Sequence, residues 1–353
     1  MQYLRLILLP FSLIYGAVIW LRNKAYDTGI FSSRKFNLPV ICIGNLTVGG
    51  AGKSPMAEYL IRLLSGHYKV AVLSRGYGRK TKGFRLVEPS DSVSDTGDEP
   101  LQFKRKFTDV TVAVSEKRVP GIERLEKAHD LVLLDDAFQH RAVTPGLSIL
   151  LFDFTRLKDF FLMLPAGNLR EPFSGRKRAD VIVITKTAGI LNPAEKASVL
   201  GRIKPFPHQR VLFSYLRYGD LKPVFSGTDL TLGNINKRSS VFLLSGIANP
   251  APLVKKLKEM CGELIHHEYP DHHSFSTKNI AKLANEFNAS ASAVKIIITT
   301  EKDAQRIRLQ ALQELLNGLP VYYLPVEAKI EPADEADFNS LIEHYVAGYL
   351  QHH

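Results

Sequence analysis

The stretch Gly44-Asn45-Leu46-Thr47-Val48-Gly49-Gly50-Ala51-Gly52-Lys53-Ser54-Pro55 reads GNLTVGGAGKSP. An apolar run at 39–43, PVICI, leads into it, and an amphipathic run from about 54 through 64 leaves it. Strand, glycine-rich turn and helix in that order aim backbone N–H groups and a helix N-terminus at a phosphate. The usual spelling is G-x-x-x-x-G-K-[ST], and here Thr47 stands where the first glycine belongs. A β-branched residue resists positive φ, so Thr47 is expected at negative φ, with Gly49, Gly50 and Gly52 taking the tight turns. On this reading Thr47, Val48, Gly49, Gly50, Ala51, Gly52, Lys53 and Ser54 bind a nucleotide. Lys53 reaches its β- and γ-phosphates, and the Ser54 hydroxyl binds Mg2+. Pro55 is tolerated because a first-turn N–H has no intrahelical partner to lose.

Working outward, short β-branched runs at 70–73, 110–114, 131–134, 148–152 and 181–184 alternate with longer amphipathic stretches. That is the pattern of an α/β protein with a P-loop NTPase-like parallel sheet, whose ligands sit beyond the carboxyl ends of the strands. Two strand-like pieces, 211–215 and 221–225, flank Arg217-Tyr218-Gly219-Asp220 and suggest a hairpin. A second, smaller α/β pattern follows, with strands at 241–244, 294–299 and 321–324. We therefore expect an N-terminal helix and lead-in over 1–36, a P-loop domain over 37–210, a linker region over 211–240 and a second α/β domain over 241–353.

A phosphate loop needs acids for its metal. The run Leu131-Val132-Leu133-Leu134 ends in Asp135-Asp136, as a Walker B strand does, and Asp95-Thr96-Gly97-Asp98-Glu99-Pro100 places three acids in a polar, glycine-containing turn. Such a cluster can hold Mg2+ or accept the proton of an attacking hydroxyl, although solvated loop acids are the ordinary reading. Ser74-Arg75-Gly76-Tyr77-Gly78-Arg79 and Asn168-Leu169-Arg170 offer cations for phosphate. His266-His267-Glu268-Tyr269-Pro270-Asp271-His272-His273 is rich in ligand types, but its spacing matches no zinc pattern and its proline breaks a helix face. A polar partner across the domain cleft is the better use for one of these histidines.

With 45% apolar and 23% charged residues the composition is that of a folded globular protein. The net charge of +11 calls for an anionic partner: nucleic acid, membrane surface or phosphorylated substrate. No helix-turn-helix, RNA-recognition or zinc-finger signature supports the first. Residues 6–21, LILLPFSLIYGAVIWL, carry no charge and are bracketed by Arg5, Arg22 and Lys24. Sixteen residues fall short of the roughly 20 that span a bilayer, so a helix lying in or partly inserted into the membrane face is expected, with Trp20 as an interfacial anchor. An apolar helix packed on the domain is the plainer alternative. Cys42 and Cys261, far apart in apolar sequence, are read as buried core residues.

Taken together, GNLTVGGAGKSP, SRGYGR (74–79), GDEP (97–100), DDAFQHR (135–141), LPAGNLREP (164–172), YPDHH (269–273) and the N-terminal apolar helix occur in an order that resembles the tetraacyldisaccharide 4′-kinase family, the lipid A 4′-kinases. The resemblance spans nearly the whole chain. It implies transfer of the ATP γ-phosphoryl group to the 4′-hydroxyl of an acylated glucosamine disaccharide 1-phosphate, giving lipid IVA, with ATP and Mg2+ as cofactors. It also implies a monotopic enzyme, expected as a monomer, on the cytoplasmic face of the bacterial inner membrane, with two α/β/α domains joined by a two-stranded linker. Asp98 then matches the family's catalytic aspartate, the base for the 4′-hydroxyl, and His272 its partner histidine, with Lys53 as the loop lysine. Ser54, Glu99, Asp135 and Asp136 would serve Mg2+. Gln139 and His140 would orient nucleotide or water, and Arg75, Arg79, Asn168 and Arg170 are looser candidates for phosphate and substrate binding. The family normally has Ser or Thr at the position of Thr47. Ser54 stands where threonine is more usual, and Ala137 where glycine is common.

The competing enzyme reading is a P-loop NTPase switch or metallochaperone without a lipid acceptor. The segment 181–186, VIVITK, faintly resembles a guanine-specificity motif, but Ala188 occupies the position where its aspartate belongs.

Overall fold

Strand β1, Val40–Asn45, is buried at all six positions, which is why its sequence is apolar on both faces rather than alternating. It sits inside a nine-stranded sheet in a computed structural model that describes residues 3–351. Residues 1–2 and 352–353, part of the terminal regions expected above, lie outside the described residues. The other strands of this sheet are β2 (Val70–Ser74), β3 (Arg85–Leu86), β4 (Thr111–Val114), β5 (Leu131–Leu134), β6 (Leu147–Asp153), β7 (Val181–Thr187), β8 (Arg210–Tyr218) and β14 (Val326–Ile330). Their order is β14-β8-β7-β6-β1-β5-β2-β4-β3. All neighbours pair in parallel except β14 with β8 and β3 with β4, the two edges. From β1 the chain crosses to β2 on one side and later fills β6 on the other, so the loop after β1 lies where the direction of winding reverses.

A second sheet has the order β11-β10-β12-β13-β9, from β9 (Lys222–Pro223), β10 (Ser239–Ser245), β11 (Glu263–Glu268), β12 (Val294–Thr300) and β13 (Val321–Leu324). Each sheet is covered on both faces by apolar clusters. The helix Lys53–Leu64 contributes Met56, Leu60 and Ile61 to one face of the large sheet, and Phe36, Leu38 and Phe138 lie on the other. Phe242, Phe287 and Ile280 cover one side of the small sheet, and Leu253, Leu257 and Cys261 the other.

The strand expectations hold for the large sheet, and two others are corrected. The pieces around residues 217–220 do not form a hairpin: β8 pairs with β7 and β14 in the large sheet, whereas β9 pairs with β13 in the small one. The region expected as one C-terminal domain from 241 onward is also divided. After β13 the chain returns as β14 beside β8, and the final helix, Pro332–Gln351, packs Phe338, Ile342 and Val346 into the core of the large sheet. The two strands that connect the sheets are therefore β8 going out and β14 coming back, a pairing between segments more than a hundred residues apart that local sequence cannot announce.

At the start of the described chain, a 3-10 turn, Tyr3–Leu8, runs into the helix Leu9–Asp27. By length and composition the stretch Arg5–Asp27 is long enough to cross a membrane, which exceeds the expectation drawn from its uncharged core alone. Ile7, Phe11, Leu13, Ile14, Val18, Trp20 and Leu21 are exposed on it.

Candidate active site

The loop after β1 has the expected shape, with one difference. Gly49 and Gly52 take φ of +98° and +82°, while Gly50 stays out of the left-handed region. At Gly52 that conformation opens the helix Lys53–Leu64, which a side chain would resist. Thr47 is extended and bridges Leu169, and the Val48 amide donates to the Asn168 carbonyl at 2.8 Å. A threonine replaces the usual glycine because this position is a strand-like bridge to the 164–172 segment, where β-branching is an asset. Lys53 donates to Asn45 Oδ1 at 3.2 Å and lies 3.6 Å from Asp136, so its ammonium is held over the loop.

Asp135 and Asp136, at the carboxyl end of β5, have different surroundings. Asp136 sits at φ +47° and pairs with Arg170 at 3.1 Å as well as Lys53. Burial pushes its carboxyl up, but Lys53 and Arg170 hold it below the ordinary value. Asp135 is buried, accepts from Ser74 Oγ at 3.1 Å, and leaves Oδ1 without a partner. Burial first, then the neighbouring charges of Asp136 and Glu99, push its carboxyl up to about 6. A buried, unpartnered carboxylate oxygen beside two further acids is the environment a cation relieves. Among the described residues no three acid, histidine or cysteine side chains converge tightly enough to enclose an ion unaided. Mg2+ does not require that, since it characteristically takes one or two carboxylates and completes its shell with phosphate oxygens and water.

Asp98 begins the helix Asp98–Lys106, entered through Gly97 at φ +90°, where an added Cβ would meet the Tyr77 carbonyl at 2.8 Å. It is 3% exposed, yet its carboxylate is surrounded by donors. His272 Nδ1 lies 2.9 Å from Oδ2, and Arg306 spans both oxygens, with Nε donating to Oδ1 at 3.0 Å and Nη2 to Oδ2. Burial raises the Asp98 carboxyl, and His272 and Arg306 more than reverse this, bringing it to about 2. His272 Nε2 accepts from Lys302 Nζ at 3.2 Å. An ammonium can only donate, so this contact assigns the His272 proton to Nδ1, where it is donated to Asp98 at 2.9 Å; the longer approach of Arg306 Nη2 to Nδ1, 3.4 Å, is then a close contact and not a hydrogen bond. Lys302 also binds Glu99 at 2.7 Å. His272, at φ +59°, and the helix Glu301–Ile307 both belong to the small sheet's part of the chain, so the Asp98 site is completed across the gap between the sheets.

The remaining candidates separate. Gln139 donates to the Asn45 carbonyl at 2.7 Å and to Glu171 at 2.9 Å, bracing the loop from behind. His140 is held neutral, its ring pushed down to about 4 by burial and by Arg118, Arg22 and Arg75. Arg75 is exposed. Arg79 is used structurally, binding the Gly83 carbonyl in its own loop at 2.6 Å and Glu116 after β4 at 2.5 Å. The N-terminal turn and helix reach three candidate residues: Arg5 donates to Asn168 Oδ1 at 3.2 Å, Tyr15 to the Arg170 carbonyl at 2.9 Å and Arg22 to the Gln139 carbonyl at 2.7 Å.

The model of the tetraacyldisaccharide-1-P 4′-kinase family matches residues 4–347. The tetraacyldisaccharide 4′-kinase of Phocaeicola vulgatus is 43% identical over 345 residues, 96% of this chain and 94% of the relative. The chain belongs to this family. The tetraacyldisaccharide 4′-kinase of Bacteroides thetaiotaomicron is 44% identical over 96% of this chain and 92% of its own length. Among solved structures, LpxK from Aquifex aeolicus in complex with ATP aligns with a TM-score of 0.74 and 31% identity, over 97% of this chain and 99% of that one. Family membership decides against the switch NTPase or metallochaperone reading.

Seen as a 4′-kinase, the site contains residues that the motifs did not reveal. Arg306 and Lys302 sit in 301–306, EKDAQR, which reads as an ordinary charged helix and becomes informative only when the small sheet brings it onto Asp98. Arg118 is 2% exposed, donates to the Ser115 carbonyl at 2.5 Å and stands behind Asp135, its guanidinium pushed down to about 10 by burial. An arginine in mid-sequence carries no signal of such burial.

Proposed function

We propose that this geometry carries out the family's reaction with Lys53 and the 47–54 loop on ATP and Asp98 on the acceptor. The protein is an ATP-dependent kinase that moves the γ-phosphoryl group to the 4′-hydroxyl of tetraacyldisaccharide 1-phosphate. The observation that carries the division of labour is Asp98: a buried carboxylate kept ionised by Arg306 and His272, with three of its roughly four acceptor positions filled and one on Oδ1 open. That position would receive the 4′-hydroxyl proton as the oxygen attacks phosphorus. His272, fixed as the Nδ1–H tautomer, orients the carboxylate from the small-sheet part of the chain, so the pair ties the two sheets together beside the acceptor.

Asp135 and Ser54 are the residues we assign to Mg2+, with Asp136 and Glu99 close by but engaged with Lys53, Arg170 and Lys302. When bound, the ion neutralises charge on the β- and γ-phosphate oxygens. We assign Arg170 and Asn168, which face the N-terminal helix, together with Arg75 and His140, to binding an anionic sugar; Gln139 braces the loop from behind and Arg79 supports its own turn. The exposed apolar face of Leu9–Asp27, flanked by cations, supports attachment to the cytoplasmic face of the inner membrane, where an acylated acceptor and ATP are both available. We read the enzyme as a monomer of two bodies, one per sheet, that does not bind nucleic acid.

The test is transfer of label from γ-labelled ATP to tetraacyldisaccharide 1-phosphate in detergent with Mg2+. Label in the lipid is expected. Phosphate release independent of the acceptor would sink the assignment of Asp98 to the acceptor.

A further inference from the structure

We propose that Arg156, Thr185 and Lys186 are positioning residues for ATP, holding the phosphate loop by its carbonyl side so that its amides face the nucleotide. The loop's hydrogen bonds can be accounted for one by one. Thr47 O accepts from Asn45 Nδ2 at 2.8 Å, Val48 O from Arg156 Nη1 at 2.6 Å, and Gly49 O from the Ala51 amide at 3.1 Å. Gly50 O accepts from Lys186 Nζ, Ala51 O from Thr185 Oγ1 at 2.8 Å, and Gly52 O from the Met56 amide at 3.2 Å. Every carbonyl from Thr47 to Gly52 is occupied. The amides of Gly49, Gly50, Gly52, Lys53 and Ser54, by contrast, have no protein acceptor among the described residues.

The imbalance has a mechanical cause. In a planar peptide the C=O of one residue and the N–H of the next point in opposite directions. Drawing the Val48 carbonyl toward Arg156 therefore turns the Gly49 amide away, and drawing the Ala51 carbonyl toward Thr185 does the same for Gly52. Lys186 fixes the intervening peptide, whose N–H closes the turn on Gly49 O. Without these donors, each loop carbonyl would be free to rotate toward the site and present its oxygen to the phosphates.

The brace is itself built. β7 slips register against β8 between Ile184 and Thr187, and within the slip Lys186 takes φ +59°, a conformation lysine rarely adopts. Bulges of this kind re-aim a side chain, and here the result is the contact with Gly50. Asp153, 6% exposed at the end of β6, accepts Lys186 Nζ on Oδ2 at 2.8 Å. Its Oδ1 accepts the Thr155 amide at 2.9 Å and hydroxyl at 2.6 Å, starting the turn Phe154–Arg156. One carboxylate thereby organises both cations. This also gives the 181–186 segment a use that requires no guanine-reading aspartate at 188.

The inference rests on reading residues 47–54 as the ATP loop. Full-length Lys186→Met, Arg156→Met and Thr185→Val proteins are compared with the unaltered enzyme, using calorimetric titration with ATP and Mg2+ and steady-state kinetics with both substrates. Each of the two methionine variants should raise the ATP Kd and the KM for ATP about tenfold, the order expected for losing one charge-assisted bond. Thr185→Val should raise them less. The KM for the lipid acceptor should stay within about twofold, a split that general loosening of the fold would not produce. Folded Lys186→Met and Arg156→Met proteins with unchanged ATP affinity, or parallel rises in both KM values, would overturn the proposal. Failure of the unaltered protein to bind ATP would instead remove the ATP-loop reading.

Discussion

Arg306 donates to both oxygens of Asp98, Nε to Oδ1 at 3.0 Å and Nη2 to Oδ2, and it is itself held by Asp303 Oδ1 at 2.6 Å and the Gly246 carbonyl at 2.9 Å. Both partners of the Arg306–Asp98 pair are buried. Removing one partner of a buried pair leaves the other uncompensated, at a cost of roughly 3 to 5 kcal/mol. Arg306→Gln should therefore lower the melting temperature and reduce kcat by about two orders of magnitude, the scale of acid–base contributions. Arg306→Lys keeps the charge but not the fork, and should recover stability more than kcat. If Arg306→Gln turned over normally, Arg306 would be a structural strut and Asp98 would not depend on it.

The same contacts make Asp98 a term in acid stability. Its carboxyl is lowered from 3.8 in the unfolded chain to about 2 in the folded one, so the folded state binds this proton less tightly. The resulting stability, about 2 kcal/mol, is present above pH 4 and is lost as pH falls through 2. Asp98→Asn should be less stable than the unaltered protein at pH 6, and the difference should shrink below pH 4. Melting temperatures of the two proteins across pH 3 to 7 measure it; parallel curves would contradict the linkage.

Asp135 has the opposite sign. Its carboxyl is raised to about 6, and a ligand to Mg2+ must be deprotonated. The Mg2+ concentration needed for half-maximal activity should therefore rise as pH falls from 7 to 5, and Asp135→Asn should abolish that dependence along with most of the activity. A Mg2+ requirement that is flat across this interval would move the metal ligand elsewhere.

Local chemistry explains which parts of this were legible in sequence. β1, the loop and the helix Lys53–Leu64 are contiguous, so strand apolarity, glycine spacing and helix amphipathicity all point to one structure. Asp135 and Asp136 stood out as two acids closing an apolar strand, whereas Asp98 and His272 lie in runs of acids and histidines with ordinary readings and were singled out through the GDEP and YPDHH segments that resemble the family's. Arg306, Lys302, Arg156 and Lys186 were not: each is one basic side chain among 46, and its importance lies in what a distant strand or helix brings beside it. The hairpin expected at 217–220 failed for a related reason. Two adjacent strand-like runs look like neighbours, but β8 finds better partners in β7 and β14.

The N-terminal helix combines two tasks that one deletion cannot separate. Removing residues 1–22 would strip the exposed apolar face and also the contacts from Arg5, Tyr15 and Arg22 to Asn168, Arg170 and Gln139. Substitution on the exposed face alone keeps those contacts. Phe11, Ile14 and Val18 are 61%, 64% and 57% exposed, and burying each in a bilayer interface is worth on the order of 1 kcal/mol or more. The triple Phe11→Glu, Ile14→Glu, Val18→Glu protein should sediment with anionic lipid vesicles at least about tenfold more weakly, while its calorimetric ATP affinity stays unchanged. Because the altered side chains are exposed and make none of those contacts, a fall in ATP affinity together with unchanged vesicle binding would show that the helix serves the active site rather than the membrane.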